Sequence, residues 1–119
     1  MKTIFIFFAI FLLSFFANAE VTVGKKIPNF EAQDINGEKI SLERLQGKFV
    51  VVEWFHPLCP FTGKHYKSHN MQNLQKEFKE KNVVWISVQT DTRDISESDQ
   101  LKSIMTWKEL TSSSATYYL

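Results

Sequence analysis

Two apolar runs, Phe49-Val50-Val51-Val52-Glu53-Trp54-Phe55 and Val83-Val84-Trp85-Ile86-Ser87-Val88, flank a segment of helical character, and this constrains the fold more than any other feature. Strands this apolar are covered on both faces, and two of them joined through a helix run parallel. The helical segment extends from Phe61 to about Lys81, with Met71, Leu74 and Phe78 spaced to share one buried face. Ser68-His69-Asn70 is expected to kink or interrupt it, Glu77 and Lys81 to pair across one turn, and Asn82 to stop it. Gln89 to Glu97 reads as a polar loop. Ser98 is expected to cap a further helix with Leu101, Ile104, Met105 and the stem of Lys108 on one face. Thr111 to Ser114 then connects to Ala115–Leu119, whose composition is that of a strand. The order strand, helix, strand, helix predicts an α/β fold with a parallel, helix-covered sheet.

Upstream, Val21 and Val23 suggest a strand before Gly24 and Pro28. Asn36-Gly37 between Phe30–Ile35 and Lys39-Ile40 predicts a small hairpin with a two-residue turn. Ser41 is expected to cap a short helix, 42–46, closed by Gly47. Met1–Ala19 has Lys2, an apolar run from Ile4 to Leu13 and then Ala17-Asn18-Ala19, the pattern of a secretory signal peptide cut before Glu20. The run is short for a membrane span, a retained anchor being the alternative. Residues 20–119 are then one exported domain, periplasmic or secreted. The chain carries 14 Lys and Arg against 13 Asp and Glu, and loss of Lys2 balances them. That balance implies neither nucleic acid nor, after leader cleavage, a membrane as partner. No Gly-rich phosphate loop is present, so no nucleotide or organic cofactor is implied.

The chain has one cysteine, Cys59, which lies just beyond the first apolar strand and is followed by Pro60. The order strand, turn, cysteine, helix places its sulfur at a helix N-terminus, where free amides and the helix dipole favour a thiolate. Pro60 suits the first helical position because its missing N–H would have no partner there. Cys59 is therefore the candidate nucleophile, set against the plain alternative of a small buried hydrophobe. Glu53, six residues earlier, is either a buried carboxylate that exchanges protons or an acid facing water at a strand end. His56 either supports the thiolate or is a turn residue pointing to solvent, the second being favoured. Thr62 is placed to hydrogen-bond the sulfur or to cap locally. Lys64 and His65 add positive potential if they face the sulfur.

The segment VGKKIPNFEAQDINGEKISLERLQGKFVVVEWF resembles the opening of the redoxin branch of the thioredoxin superfamily, which includes peroxiredoxin and thiol-specific antioxidant relatives. The matching features are Gly24, Pro28 and Phe30, the Asn36-Gly37 turn, and Leu45-Gln46-Gly47-Lys48. CPFTGKHYKSHNMQNLQ is similar to a peroxiredoxin-like subgroup in which a Cys-Pro pair precedes K-H-Y and N-M-Q-x-L-Q. The resemblance implies a thioredoxin-like fold and a thiol-dependent oxidoreductase or antioxidant, with peroxide or a disulfide as substrate. It also implies a proton-handling role for an acid at the position of Glu53. The sequence departs from the thioredoxin motif at position 62, where Thr stands in place of a second cysteine. It departs from the peroxiredoxin motif at Val52 and His56, where Pro and Thr would stand. With no resolving cysteine, an external thiol or thioredoxin-type reductant is required.

Relatives continue into a further hairpin and helix, so the resemblance implies a C-terminally truncated domain with an uncovered strand edge. Two rival readings follow. His56, Cys59, His65 and His69 have spacing compatible with copper or zinc, and a truncated chain is alternatively an inactive remnant.

Overall fold

The computed structural model describes residues 21–91 and 93–119, and the leader read over Met1–Ala19 lies outside them. Strands β1 (Glu31–Gln33) and β2 (Lys39–Ser41) form an antiparallel hairpin, followed by a single 3-10 turn, Glu43–Leu45. Strand β3 (Val50–Phe55) leads into α1 (Pro60–Lys67) and α2 (Asn70–Glu80). Then come β4 (Val84–Gln89), α3 (Glu97–Thr111) and β5 (Tyr117–Tyr118). The three later strands are all parallel in the order β3-β4-β5, with Val50 opposite Val84, Phe55 opposite Gln89 and Ile86 opposite Tyr117.

Alternation along the strands sorts the core into two layers. Val51, Trp85 and Tyr118 face the helices and pack with Met71, Leu74, Phe78 and Ile104. Val50, Val84, Ile86 and Tyr117 face the other way, against Ile40, Leu45 and Phe30 of the N-terminal segment. The sheet is thus helix-covered on one face and hairpin-covered on the other. Both crossovers advance in one direction across the sheet, which puts their helices on the same side. Among the described residues β3 has a paired neighbour on one side only, and Phe49 and Trp54 are exposed. No helix of the described residues is long and apolar enough to cross a membrane.

Several expectations shift in detail. Val21 and Val23 form no strand: both are exposed, with no pairing partner to stabilise an extended backbone. The hairpin turn is not centred on Asn36-Gly37. Asp34 organises it, accepting from the Asn36 and Glu38 amides (both 2.9 Å), while Gly37 N–H closes on Asp34 O at 2.9 Å. Gly37 sits at φ +83°, a conformation that glycine adopts without a steric cost. The expected interruption of the helix after Cys59 holds, at Ser68-His69, where His69 takes φ 59°. The expected stop at Asn82 holds, with φ 60° and its N–H bonded to Lys79 O. The cap of α3 is Ser96 and not Ser98, because Ser96 Oγ accepts the Asp99 amide at 3.2 Å. Its buried face also differs. Ile104 is buried, Leu101 and Met105 are exposed, and Trp107 packs inward instead.

Candidate active site

Strand β3 delivers the chain to the carboxyl ends of the sheet, the side on which open parallel sheets build their crevices. Thr90 holds its last residue in place: the Thr90 amide and hydroxyl both donate to Phe55 O, at 2.8 and 3.2 Å. A tight turn follows. Cys59 N–H donates to His56 O at 3.0 Å, and Leu58 N–H donates to His56 Nδ1 at 3.1 Å. The His56 ring therefore acts as a turn acceptor, and its Nδ1 is occupied by the backbone rather than directed at the sulfur.

Cys59 is the N-cap of α1, with φ −72° and ψ 122°, and Pro60 is the first helical residue. Its carbonyl accepts the first helical bond, from Gly63 N–H at 2.9 Å. The side chain is half-buried. The Thr62 backbone amide, then the Thr62 hydroxyl, then the Phe61 amide lower the thiol pKa from its ordinary value against a smaller opposing effect of desolvation. The two amides are orphan donors of the first helical turn, which a thiolate would accept, and the Cys59 side chain makes no capping hydrogen bond in this structure. Partial exposure and a depressed pKa together define a thiol that is reachable and readily ionised. It opens onto a cleft of about 660 Å³, bounded by Leu58, Lys64, Lys67 and, from α3, Trp107.

Glu53 does not face water at a strand end. It is half-buried in mid-strand, on the helix-facing side, where four side chains donate to it. Tyr66 Oη donates at 2.9 and 3.1 Å to its two oxygens. Trp85 Nε1 at 2.9 Å, Ser87 Oγ at 3.1 Å and, more distantly, Gln75 Nε2 at 3.4 Å reach Oε2. Gln75 also donates to Tyr66 Oη at 3.0 Å and accepts from Ser113 Oγ and the Ser114 amide. One carboxylate thereby joins β3, α1, α2 and β4, and through Gln75 the approach to β5. A carboxylate accepts several bonds at once, so neutral donors replace the water it gives up. Burial pushes the Tyr66 hydroxyl well above the ordinary phenol range, and the neighbouring Glu53 charge adds to this. Trp107 closes the layer above, stacked on Phe55 (5.3 Å) and edge-on to Tyr66 (5.0 Å).

The four residues of the metal reading are not brought together. His65 faces Asn70 (3.2 Å), and His69 occupies the helix break, which removes the helical spacing that two ligands four apart require. Among the described residues no group of three or more His, Cys, Asp or Glu side chains is placed to hold a metal.

A family model described as the AhpC/TSA family matches residues 23–116. The chain belongs to that family. Its matched span includes the cysteine turn, all of the Glu53 network and both crossovers. The chain is 37% identical over 82 residues to the thiol-disulfide oxidoreductase ResA of Bacillus thuringiensis (strain Al Hakam), covering 68% of this chain and 46% of that protein. It thus spans about half the length of the curated relatives it matches. In structure, it superposes on the thioredoxin domain of a thiol-disulfide oxidoreductase from Bacteroides vulgatus with a TM-score of 0.60 at 22% identity, covering 84% of this chain and 64% of that one. A thiol:disulfide interchange protein from Bacteroides sp. gives 0.54 at 27% identity, over 74% and 55%. The fold is accordingly thioredoxin-like.

Sequence reasoning missed Gln72, Gln75, Trp85, Ser87 and Trp107 as contributors, and gave Tyr66 no role beyond its place in K-H-Y. The signal was present in K-H-Y and N-M-Q-x-L-Q: two glutamines share the helix surface that carries Met71 and Leu74, and both are buried.

Proposed function

We propose that this chain is a thiol-dependent oxidoreductase with Cys59 as its nucleophile, exported by the Met1–Ala19 leader. The observation that carries the reading is the half-exposed sulfur at the N-cap of α1, its proton affinity lowered by the Thr62 and Phe61 amides and the Thr62 hydroxyl. The thiolate attacks one sulfur of a disulfide, forming a Cys59–substrate disulfide, and the other sulfur departs as a thiolate with the bonding electron pair. An external thiol, or a thioredoxin-type reductant, then attacks the mixed disulfide and restores Cys59. No second cysteine stands in this chain to perform that step. Pro60 shapes the helix start and Thr62 stabilises the anion. Glu53 and His56 are positioning residues, the first holding α1 through Tyr66 and the second holding the turn.

The peroxiredoxin-like alternative, attack on a peroxide to give a sulfenic acid and release an alcohol or water, uses the same thiolate. Family membership supports it, while the names of the ResA relatives support disulfide exchange. Parallel rate constants for a small disulfide and for hydrogen peroxide, read by mass at Cys59, separate the two. A Cys59 that reacts with neither faster than a free cysteine at the same pH refutes the proposal.

A further inference from the structure

The turn between β3 and α1 depends on the charge of one ring. Leu58 N–H donates to His56 Nδ1 at 3.1 Å, and Cys59 N–H donates to His56 O at 3.0 Å. One residue thus accepts from both backbone amides that lead into the N-cap. A ring nitrogen that accepts carries no proton, so the neutral ring has its hydrogen on Nε2. An imidazolium carries a hydrogen on each nitrogen and accepts nothing. Protonating His56 therefore removes the Leu58 bond and sets two N–H groups against each other.

The charged ring has a second partner at hand. The Thr90 amide and hydroxyl both bond Phe55 O, which brings Asp91 alongside His56 where β3 and β4 end. The Asp91 side chain is enclosed and accepts from the Arg93 amide (3.0 Å) and Nε (2.9 Å). Hydrogen bonds from the Arg93 side chain and amide hold the Asp91 carboxyl well below the usual carboxylate range, and the charge of His56 adds the smallest contribution. Asp91 is thus an anion throughout the range in which imidazoles change charge, and a carboxylate has lone pairs beyond those Arg93 uses. The other charged groups around the turn are Lys64 of α1 and, from α3, Asp99 and Lys102, which border clefts lined by Pro57 and Leu58. Of these carboxylates, Asp91 is the one tied to His56 through the register of the two strands.

We propose that His56 is a pH-sensitive latch on the turn that presents Cys59: neutral, it holds Leu58 N–H and fixes the cysteine at the helix start; protonated, it releases that amide and turns to Asp91. The bond needs the neutral ring, so it is present above the imidazole range and is lost as pH falls through it, between about pH 8 and 5. The consequence for chemistry rests on Cys59 being the nucleophile. It adds a regulation of that site, in which acid slows the thiol beyond the loss of thiolate alone.

The test compares the full chain with His56→Asn, whose side-chain oxygen can accept the Leu58 amide as an Asx turn does and does not titrate. The ratio of their iodoacetamide alkylation rates at Cys59 cancels the thiolate fraction common to both. That ratio is expected to be constant above about pH 8 and to fall about fivefold by about pH 5, the scale of one net hydrogen bond. A flat ratio overturns the latch. A ratio that rises in acid overturns it too, because His56 then acts as a charge that favours the thiolate. A second measurement does without the thiol: in Cys59→Ser, NMR of the ring nitrogens and of the Leu58 amide is expected to show the Nε2–H tautomer and one shared titration. The Nδ1–H tautomer, or a Leu58 amide that ignores the ring, overturns the proposal. Cys59 no faster than free cysteine in the wild type, with the Leu58 titration intact, refutes the nucleophile and leaves the latch standing.

Discussion

Replacing Tyr66 by phenylalanine removes one oxygen from the bond set around Glu53 and leaves the packing against Trp107 intact. The lost hydroxyl gives the two shortest contacts between Glu53 and α1 (2.9 and 3.1 Å) and accepts from Gln75 Nε2 at 3.0 Å. A hydrogen bond to a charged group contributes about 1.5–3 kcal/mol. Gln75 Nε2 then keeps only its long contact to Glu53 (3.4 Å), while Trp85 and Ser87 still hold Oε2. The expected loss is about 2 kcal/mol, or ~8–16 °C in Tm for a domain of this size. Urea unfolding followed by tryptophan fluorescence measures it, since Trp85 and Trp107 both border the network. Glu53→Gln is expected to cost less, because its amide can present oxygen to Trp85 and nitrogen to Tyr66. Glu53→Leu strands all four donors and is expected to cost ~3 kcal/mol or more. The Tyr66→Phe and Glu53→Gln effects are expected to be non-additive by about 1 kcal/mol. A Tyr66→Phe protein within ~0.5 kcal/mol of wild type, or strict additivity, refutes the view that the carboxylate anchors α1.

Alkylation of Cys59 across pH is expected to titrate below a free cysteine, and Thr62→Val to move the midpoint upward while Thr62→Ser preserves it; a wild-type midpoint at the free-cysteine value contradicts the site. Tyr66, Tyr117 and Tyr118 all have raised pKa values, chiefly from burial. Their folded forms hold protons that the unfolded chain gives up, so their contribution is complete below about pH 10 and is lost as pH rises from there toward the folded pKa values. Urea midpoints are expected to fall above pH 10, less steeply in Tyr66→Phe. Ser96→Ala removes the α3 cap and is expected to cost ~1 kcal/mol, while Ser98→Ala changes little. Urea titration of the pair distinguishes the two serines.

What the sequence made legible is what local periodicity and local stereochemistry determine. Met71, Leu74 and Phe78 recur at helical spacing, and all three lie on the helix-facing core layer. Cys59 before Pro60 places a sulfur at a helix start because the strand must end at His56-Pro57 and proline suits a first turn. The Glu53 network was not legible, since its partners lie between 13 and 34 positions away and a polar residue on a helix reads as outward-facing. Gln72 and Gln75 are buried because they carry bonds to distant backbone and side chains, a reason no window of adjacent residues contains. The cap of α3 was misplaced for a simpler reason. Ser96 and Ser98 both lie at the helix start, and only Ser96 has three residues ahead an Asp99 whose carboxylate accepts from its Oγ at 2.6 Å. The face of α3 was misread because Leu101 and Met105 match the period, whereas Trp107 is drawn in by stacking on Phe55.

The reversal of backbone hand at His69 leaves the cysteine on a helix of eight residues rather than one of twenty. Such a piece is too short to persist by its own hydrogen bonds. It is clamped at the far end, where Gln72 grips Tyr66 O and Tyr66 grips Glu53, and held at the sulfur end by the tight turn from His56. The position of the sulfur is therefore set from outside the helix, by the half-buried carboxylate at one end and the strand-end turn at the other.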